Sequence, residues 1–186
     1  MAKKLIALGN ILRAILDRGS VVRPPGAVVE NEFLKLCIKC NLCIEACRVA
    51  GSGTLERCSI LYGLKKYGTP RVNPLRAPCE AVKGRCEPKP PCIRVCFTGA
   101  LQLIDTSLIK LGSVVWIKDR CIAATKGGCL ICYEVCPIPG AIKITKENTP
   151  EFNMELCIGC GRCVNACPAK PKALKLLAKG EKRIVI

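Results

Sequence analysis

Cysteine is the residue whose number and spacing suggest chemistry in this sequence. The 186 residues contain 17 cysteines and no histidine. Sixteen of the cysteines form four groups of four, and each group ends in the spacing C-x-x-x-C. The groups are Cys37, Cys40, Cys43, Cys47; Cys79, Cys86, Cys92, Cys96; Cys121, Cys129, Cys132, Cys136; and Cys157, Cys160, Cys163, Cys167. Repetition of one spacing indicates metal ligation rather than scattered structural cysteines.

The first and fourth groups have the full spacing C-x-x-C-x-x-C-x-x-x-C, and Pro168 follows the last cysteine of the fourth group. In proteins with this run, three close cysteines hold one 4Fe-4S cluster and the distant cysteine ligates the neighbouring cluster. The second and third groups are longer only at their N-terminal ends, an insertion that surface loops tolerate at small entropic cost. The spacing predicts four 4Fe-4S clusters, with all sixteen grouped cysteines as cofactor and metal ligands and no catalytic residue.

Zinc and disulfides are the competing explanations for so many cysteines. Four-cysteine zinc sites pair two C-x-x-C knuckles about 15 to 20 residues apart and often use histidine, which fits these groups poorly. Disulfides belong to oxidising compartments, and the first residues have neither an A-x-A cleavage site nor a twin arginine. No apolar run reaches the roughly 18 residues of a membrane span. The sequence predicts a cytoplasmic protein, with peripheral attachment to the membrane left open.

The formal charge of +16 indicates which classes of partner the protein could bind. Four oxidised clusters with their thiolates contribute roughly −8, so the loaded protein has a charge near +8, and part of the basic excess balances the clusters. The remainder suits an acidic protein partner or an anionic membrane surface. Nucleic acid is disfavoured because only three Tyr, three Phe and one Trp are available for base stacking. Structural clusters in a nucleic-acid-binding protein therefore form the weaker alternative.

The elements that position the groups are short. Alternating apolar residues predict strands at 114–117 and 141–145, and a hairpin in which 173–177 faces 183–186 across a turn. We expect 54–78 to be a linker that begins with a helix through Leu61 and Leu64.

Two further features lie outside the four groups. Residues 1–22 are predicted to form an amphipathic N-terminal helix, because Leu5, Leu8 and Leu12 recur at helical spacing among basic residues. This helix could bind a partner, a membrane or the protein itself. Cys58 is the seventeenth cysteine, and we interpret it as a small buried hydrophobic residue.

Several stretches of the sequence, besides the cysteine spacing, resemble those of a known family. They are Arg23-Pro24-Pro25-Gly26-Ala27, Gly68-Thr69-Pro70, Phe97-Thr98-Gly99-Ala100-Leu101, and the run from Cys129 to Pro137. With them the chain resembles the MauM/NapG family of ferredoxin-type polyferredoxins from about residue 23 to residue 177.

The resemblance implies an α+β fold of two ferredoxin-like dicluster modules, the inner one inserted in the outer. The outer module would comprise 23–53 and 146–186, and the inner one 79–145 after the linker 54–78. It also implies that the distant cysteines are exchanged between groups. Cys37, Cys40 and Cys43 would take Cys167; Cys157, Cys160 and Cys163 would take Cys47; Cys79, Cys86 and Cys92 would take Cys136; and Cys121, Cys129 and Cys132 would take Cys96.

The function implied by the resemblance is electron transfer. The chain would carry electrons through four clusters between a redox enzyme and a second carrier in an anaerobe. Members of the family usually carry a twin-arginine export signal, and this sequence has none. The expected partner protein is therefore a tungsto- or molybdopterin catalytic subunit such as an aldehyde oxidoreductase, and the alternative is quinol-linked transfer with a membrane ferredoxin-type partner. The sequence contains no G-x-G-x-x-G fingerprint and no P-loop, so we expect an electron-transfer component of an oxidoreductase complex with no substrate site of its own.

Overall fold

The structure is a computed structural model that describes residues 19–186. The predicted N-terminal helix falls mainly on residues 1–18, which lie outside the described residues, and residues 19–22 are not helical. Among residues 19–186, no helix has the length and apolar character that a bilayer crossing requires.

Short helices and short strands alternate along the described chain, which confirms the predicted mixture of helix and strand. The helices are α1 (Glu30–Leu36), α2 (Leu42–Ala50), α3 (Pro91–Arg94), α4 (Ile122–Thr125), α5 (Ile131–Glu134) and α6 (Arg162–Ala166). The strands are β1 (Leu55–Arg57), β2 (Pro70–Val72), β3 (Ser113–Trp116), β4 (Ile142–Ile144), β5 (Pro150–Phe152) and β6 (Leu174–Leu177). They form three antiparallel two-stranded sheets, β1–β2, β3–β6 and β4–β5.

Strands β1 and β2 occupy the segment that was expected to be a helical linker. Leu55 lies opposite Val72 in this sheet, and both side chains are buried. The predicted helix is reduced to the single 3-10 turn Ile60–Tyr62, and Leu61 and Leu64 are exposed. The helix prediction is wrong because these leucines have no core to face, whereas the strand residues on either side of them do.

Sheet β3–β6 confirms two predicted strands but corrects their partner. Strand β6 pairs with β3, and Ser113 lies opposite Leu177. The predicted hairpin between 173–177 and the C-terminus is wrong, because the C-terminal segment instead crosses to the other half of the chain. There Ile184 accepts a hydrogen bond from Val29 N at 3.0 Å and forms an isolated bridge with Val28.

The pairings place the two modules one after the other. In the first half, α2 packs against α3, and Ala27 bridges Leu101. In the second half, α5 packs against α6, and β3 pairs with β6. These pairings differ from the predicted insertion of 79–145 into an outer module. One hydrophobic core runs through both halves, and most of the grouped cysteines belong to it or pack against it.

Candidate iron–sulfur sites

The sixteen grouped cysteines come together in four sets of four thiols. Three of the sets line cavities and are called sites A, C and D, and the fourth is called site B. Site A is Cys37, Cys40, Cys43 and Cys96; site C is Cys136, Cys157, Cys160 and Cys163; site D is Cys121, Cys129, Cys132 and Cys167. Site B is Cys47, Cys79, Cys86 and Cys92. After burial, the other three thiols all contribute to the raised pKa of Cys92, so they lie near it.

Each site takes three cysteines from one group and the fourth from a neighbouring group. The exchange was expected, but the structure corrects which groups exchange. Site A contains Cys96 where Cys167 was expected, site B contains Cys47 where Cys136 was expected, site C contains Cys136 where Cys47 was expected, and site D contains Cys167 where Cys96 was expected.

Helix packing explains the correction. The last cysteine of each group lies in or just after a short helix, so the partner of that helix decides which site the thiol joins. Helix α2, which contains Cys47, packs against α3, and Cys96 follows α3 closely. Helix α5 packs against α6 in the same way. The first two groups therefore exchange their last cysteines, and so do the last two.

The cavities suit one kind of group. At sites A, C and D, apolar side chains line each cavity together with its four thiols. All seventeen cysteines are free thiols. Within residues 19–186, no three metal-ligating side chains converge as they would on one ion. Four thiols spread around a cavity are the donor set of a 4Fe-4S cluster, so these residues fit that group.

Burial controls the protonation of the thiols. Burial, with smaller contributions from neighbouring cysteines, raises the pKa of Cys43 to about 12 and that of Cys132 to about 11. Burial raises the pKa of Cys79 to about 12 as well. These thiols are neutral at pH 7 without metal, whereas iron binds the thiolate, so iron must displace the proton when a site is loaded.

The loops of sites A and C share left-handed backbone positions on both sides of their second cysteine. Lys39 and Asn41 flank Cys40 with φ of 60° and 66°, and Gly159 and Gly161 flank Cys160 with φ of 70° and 77°. The left-handed region favours glycine, so its occurrence at equivalent positions in two loops reflects a shared geometry.

The four sites lie in the order A, B, C, D. Cys43 of site A contributes to the raised pKa of Cys92 in site B, and Cys132 of site D contributes to that of Cys163 in site C. Sites B and C meet at a backbone hydrogen bond of 2.8 Å from Cys79 N to Cys160 O. Each site therefore has its next neighbour directly beside it.

A buried arginine beside site A was not among the predicted site residues. Arg23 is 1% exposed and forms two hydrogen bonds with the carboxylate of Glu30, at 3.0 and 2.6 Å. Its guanidinium also lies over the Phe33 ring, 4.4 Å from the centroid. Burial raises the pKa of Cys37, and the charge of Arg23 opposes that rise. The Arg-Pro-Pro-Gly-Ala run was the signal in the sequence that pointed to this position.

Cys58 lies outside the four sites. It is 1% exposed, and its Sγ is 3.9 Å from Nη1 of Arg23. This position agrees with its interpretation as a small buried residue.

Comparisons with known proteins bear directly on these sites. Two family models described as 4Fe-4S binding domains match residues 34–50 and 149–173. The ferredoxin-type protein NapG of Escherichia coli is 34% identical over an alignment that covers 95% of this chain and 80% of that protein. The methylamine utilization ferredoxin-type protein MauM of Methylophilus methylotrophus is 33% identical over 90% of this chain and 77% of that protein. The chain belongs to the NapG/MauM ferredoxin-type family.

Membership confirms the resemblance seen in the sequence. MauM of Paracoccus denitrificans is also 33% identical, over 85% of this chain and 71% of that protein. No solved structure matches the chain. The chain is an iron–sulfur protein of the ferredoxin type that transfers electrons, and its family works with other redox proteins.

Proposed function

We propose that this protein carries four 4Fe-4S clusters, one at each of sites A to D, and conducts electrons along them between two redox partners. Each bound cluster supplies one-electron chemistry. The chain itself provides the thiolates and fixes the order of the sites. The proposed modules are consecutive, 23–104 with sites A and B and 105–186 with sites C and D.

The observation that carries this proposal is the continuous order of the sites. A carrier that diffuses with one electron needs one cluster, whereas four sites in a row, each beside the next, form a path with two ends. The junction between Cys79 and Cys160 supports the path at its middle, because it joins the two modules through a 2.8 Å hydrogen bond.

The ends of the path differ in their surfaces. At site A, Cys40 is exposed, and Ile38 and Phe97 are 61% and 72% exposed. At site D, the loop 126–128 between the first two cysteines is exposed and carries Lys126. Apolar contact at site A and a basic loop at site D favour two different partners.

The identity of the partners extends this proposal. We place a pterin-containing catalytic subunit of the tungsten or molybdenum type at one end, with a membrane ferredoxin-type protein as the alternative. Isolation of the native complex under anaerobic conditions, followed by metal analysis of the second subunit, tests the choice. Fractionation of cells tests the predicted cytoplasmic location.

Iron content and redox titration test the proposed function. Protein purified without oxygen should contain about sixteen iron and sixteen sulfide per chain, and an EPR-monitored titration should show several reducible, interacting signals. Zinc in place of iron, or a fully loaded protein with far less iron, would overturn the proposal. Salt-dependent DNA binding by a protein whose clusters do not cycle would favour the nucleic-acid alternative.

A further inference from the structure

The cavity of site D contains a buried hydrogen-bond donor that the described chain does not satisfy. Trp116 lines this cavity together with the four thiols of the site. Its Nε1–H is shielded from solvent and has no hydrogen-bond partner among residues 19–186. Folded proteins rarely leave a buried donor unpaired, so such a group calls for an explanation.

The fold holds Trp116 at this position. It is the last residue of β3 and lies opposite Leu174 in β6, and the next residue, Ile117, donates from its N–H to Ala173 O at 2.8 Å. Cys121 follows β3 shortly, and Cys167 precedes β6. The β3–β6 pair therefore holds the indole beside the segment that leads to Cys121 and the segment that follows Cys167.

Other buried side-chain donors without a hydrogen-bond partner lie away from these cavities. Within the described part of the chain, Arg71 Nε and Arg183 Nε are also buried without a hydrogen-bond partner. Neither residue lines the cavities of sites A, C or D. At site A, the Leu101 N–H donates to Cys96 Sγ at 3.3 Å, which is a backbone contact within the loop. Trp116 is distinctive because a side-chain donor without a partner borders a thiol-lined cavity.

We propose that the Nε1–H of Trp116 donates a hydrogen bond to a sulfur of the group held at site D and thereby raises its reduction potential. This inference rests on the proposed function. One-electron reduction adds a negative charge to the group, and a hydrogen-bond donor stabilises that charge. Trp116 is thus a potential-setting residue that draws electrons towards the site D end of the path.

The first test removes the donor and keeps the ring. Trp116→Phe and wild-type protein, both full length and purified anaerobically, are compared by iron content and by EPR-monitored titration with dithionite as electron source. We expect unchanged iron and one midpoint potential of the four shifted to a more negative value. A tenfold change in the ratio of reduced to oxidised site corresponds to 59 mV for a one-electron couple.

Two variants serve as controls. Tyr62 lines none of the cavities of sites A, C and D, so Tyr62→Phe, which removes an aromatic donor elsewhere, should leave the site D potential unchanged. Trp116→His retains a ring nitrogen at the place of Nε1. At a pH above the usual pKa of histidine, the neutral imidazole can still donate a hydrogen bond. The site D potential of this variant should therefore lie closer to the wild-type value than that of Trp116→Phe.

The second test needs no variant, because Trp116 is the single tryptophan of the chain. Labelling with ¹⁵N-tryptophan followed by pulsed EPR of the reduced wild-type protein should show a nitrogen coupling to one cluster. Full iron with no such coupling, or Trp116→Phe with full iron and four unchanged potentials, overturns the role of Trp116. A wild-type protein that lacks four clusters overturns the proposed function instead, so the two failures are distinguishable.

Discussion

At the scale of the residue, the last cysteine of each group determines how the loops combine into modules. Cys96 lies at site A and Cys167 at site D. We predict that Cys96→Ser and Cys37→Ser abolish or alter the same EPR signal and each remove up to about four iron per chain, because both thiols hold one cluster. Cys167→Ser should alter a different signal, the one that Cys121→Ser affects.

Cys58→Ser is the control, since Cys58 is a buried cysteine that belongs to no site. It should leave iron and all four signals unchanged. If Cys167→Ser instead altered the signal that Cys37→Ser affects, the result would support the exchange of last cysteines between the first and fourth groups, which the family resemblance implies.

The spacing of the cysteines was sufficient to predict the ligand candidates but not their grouping. The run from Cys37 to Cys47 reads the same whether its last thiol joins site B or site C. The choice depends on which helix packs against α2, a contact between residues distant in sequence. A local pattern does not contain that information.

Arg23 is the second residue with a testable role. Its side chain is fully buried, and its partner Glu30 is 32% exposed. Removal of one partner from a buried pair costs about 3 kcal/mol or more, so Arg23→Gln should lower the thermal midpoint of the loaded protein by roughly 6 °C or more.

Arg48→Gln provides the comparison for Arg23. Arg48 pairs with Glu45 on the surface of α2, where both side chains are more than half exposed, so its loss should cost about 0.5 kcal/mol or less. Equal midpoints for the two variants would show that the buried guanidinium contributes no more than a surface charge.

At the scale of the element, site C depends on a close approach between its loop and the start of β3. Leu111 N donates to Ile158 O at 2.8 Å. A Cβ at Gly159 would lie 2.6 Å from Gly112 N, and the φ of Gly159 is +70°. Gly159→Ala therefore combines left-handed strain with a backbone clash, each costing about 1 to 3 kcal/mol. We predict a lower thermal midpoint and loss of iron from site C.

Gly127→Ala separates the two causes. Gly127 has a φ of +81°, but nothing lies within 4 Å of its Cβ position. This variant bears the conformational strain alone and should retain full iron with a midpoint lowered by only a few degrees. Equal iron loss in both variants would show that the close approach is unimportant.

Strands were predictable from alternation, whereas their partners were not. The alternation at 173–177 correctly predicted β6, because Leu174 and Leu176 face the core. The nearest segment in sequence was taken as its partner, yet Val185 and Ile186 remain exposed and Val114 of β3 fills the position. Pairing followed burial of the apolar face rather than proximity in sequence.

At the scale of the whole molecule, the two modules meet through polar contacts around sites B and C. Besides the bond between Cys79 and Cys160, Arg162 Nη2 donates to Lys83 O at 2.7 Å, and Asn165 Nδ2 donates to Pro74 O at 2.9 Å. These contacts bring backbone of the first module against helix α6 of the second. The middle of the electron path is therefore also the junction of the modules.

The order A, B, C, D leads to the last prediction, which concerns magnetic coupling between reduced clusters. Such coupling falls steeply with distance, so it should connect A with B, B with C, and C with D. Loss of site B through Cys86→Ser should leave site A uncoupled while the C–D coupling persists. Loss of site A through Cys40→Ser should leave both the B–C and C–D couplings intact. Pulsed EPR of the two variants measures this difference. An A–C or A–D coupling that survives in Cys86→Ser would contradict the linear order, because that order places site B between site A and the other two sites.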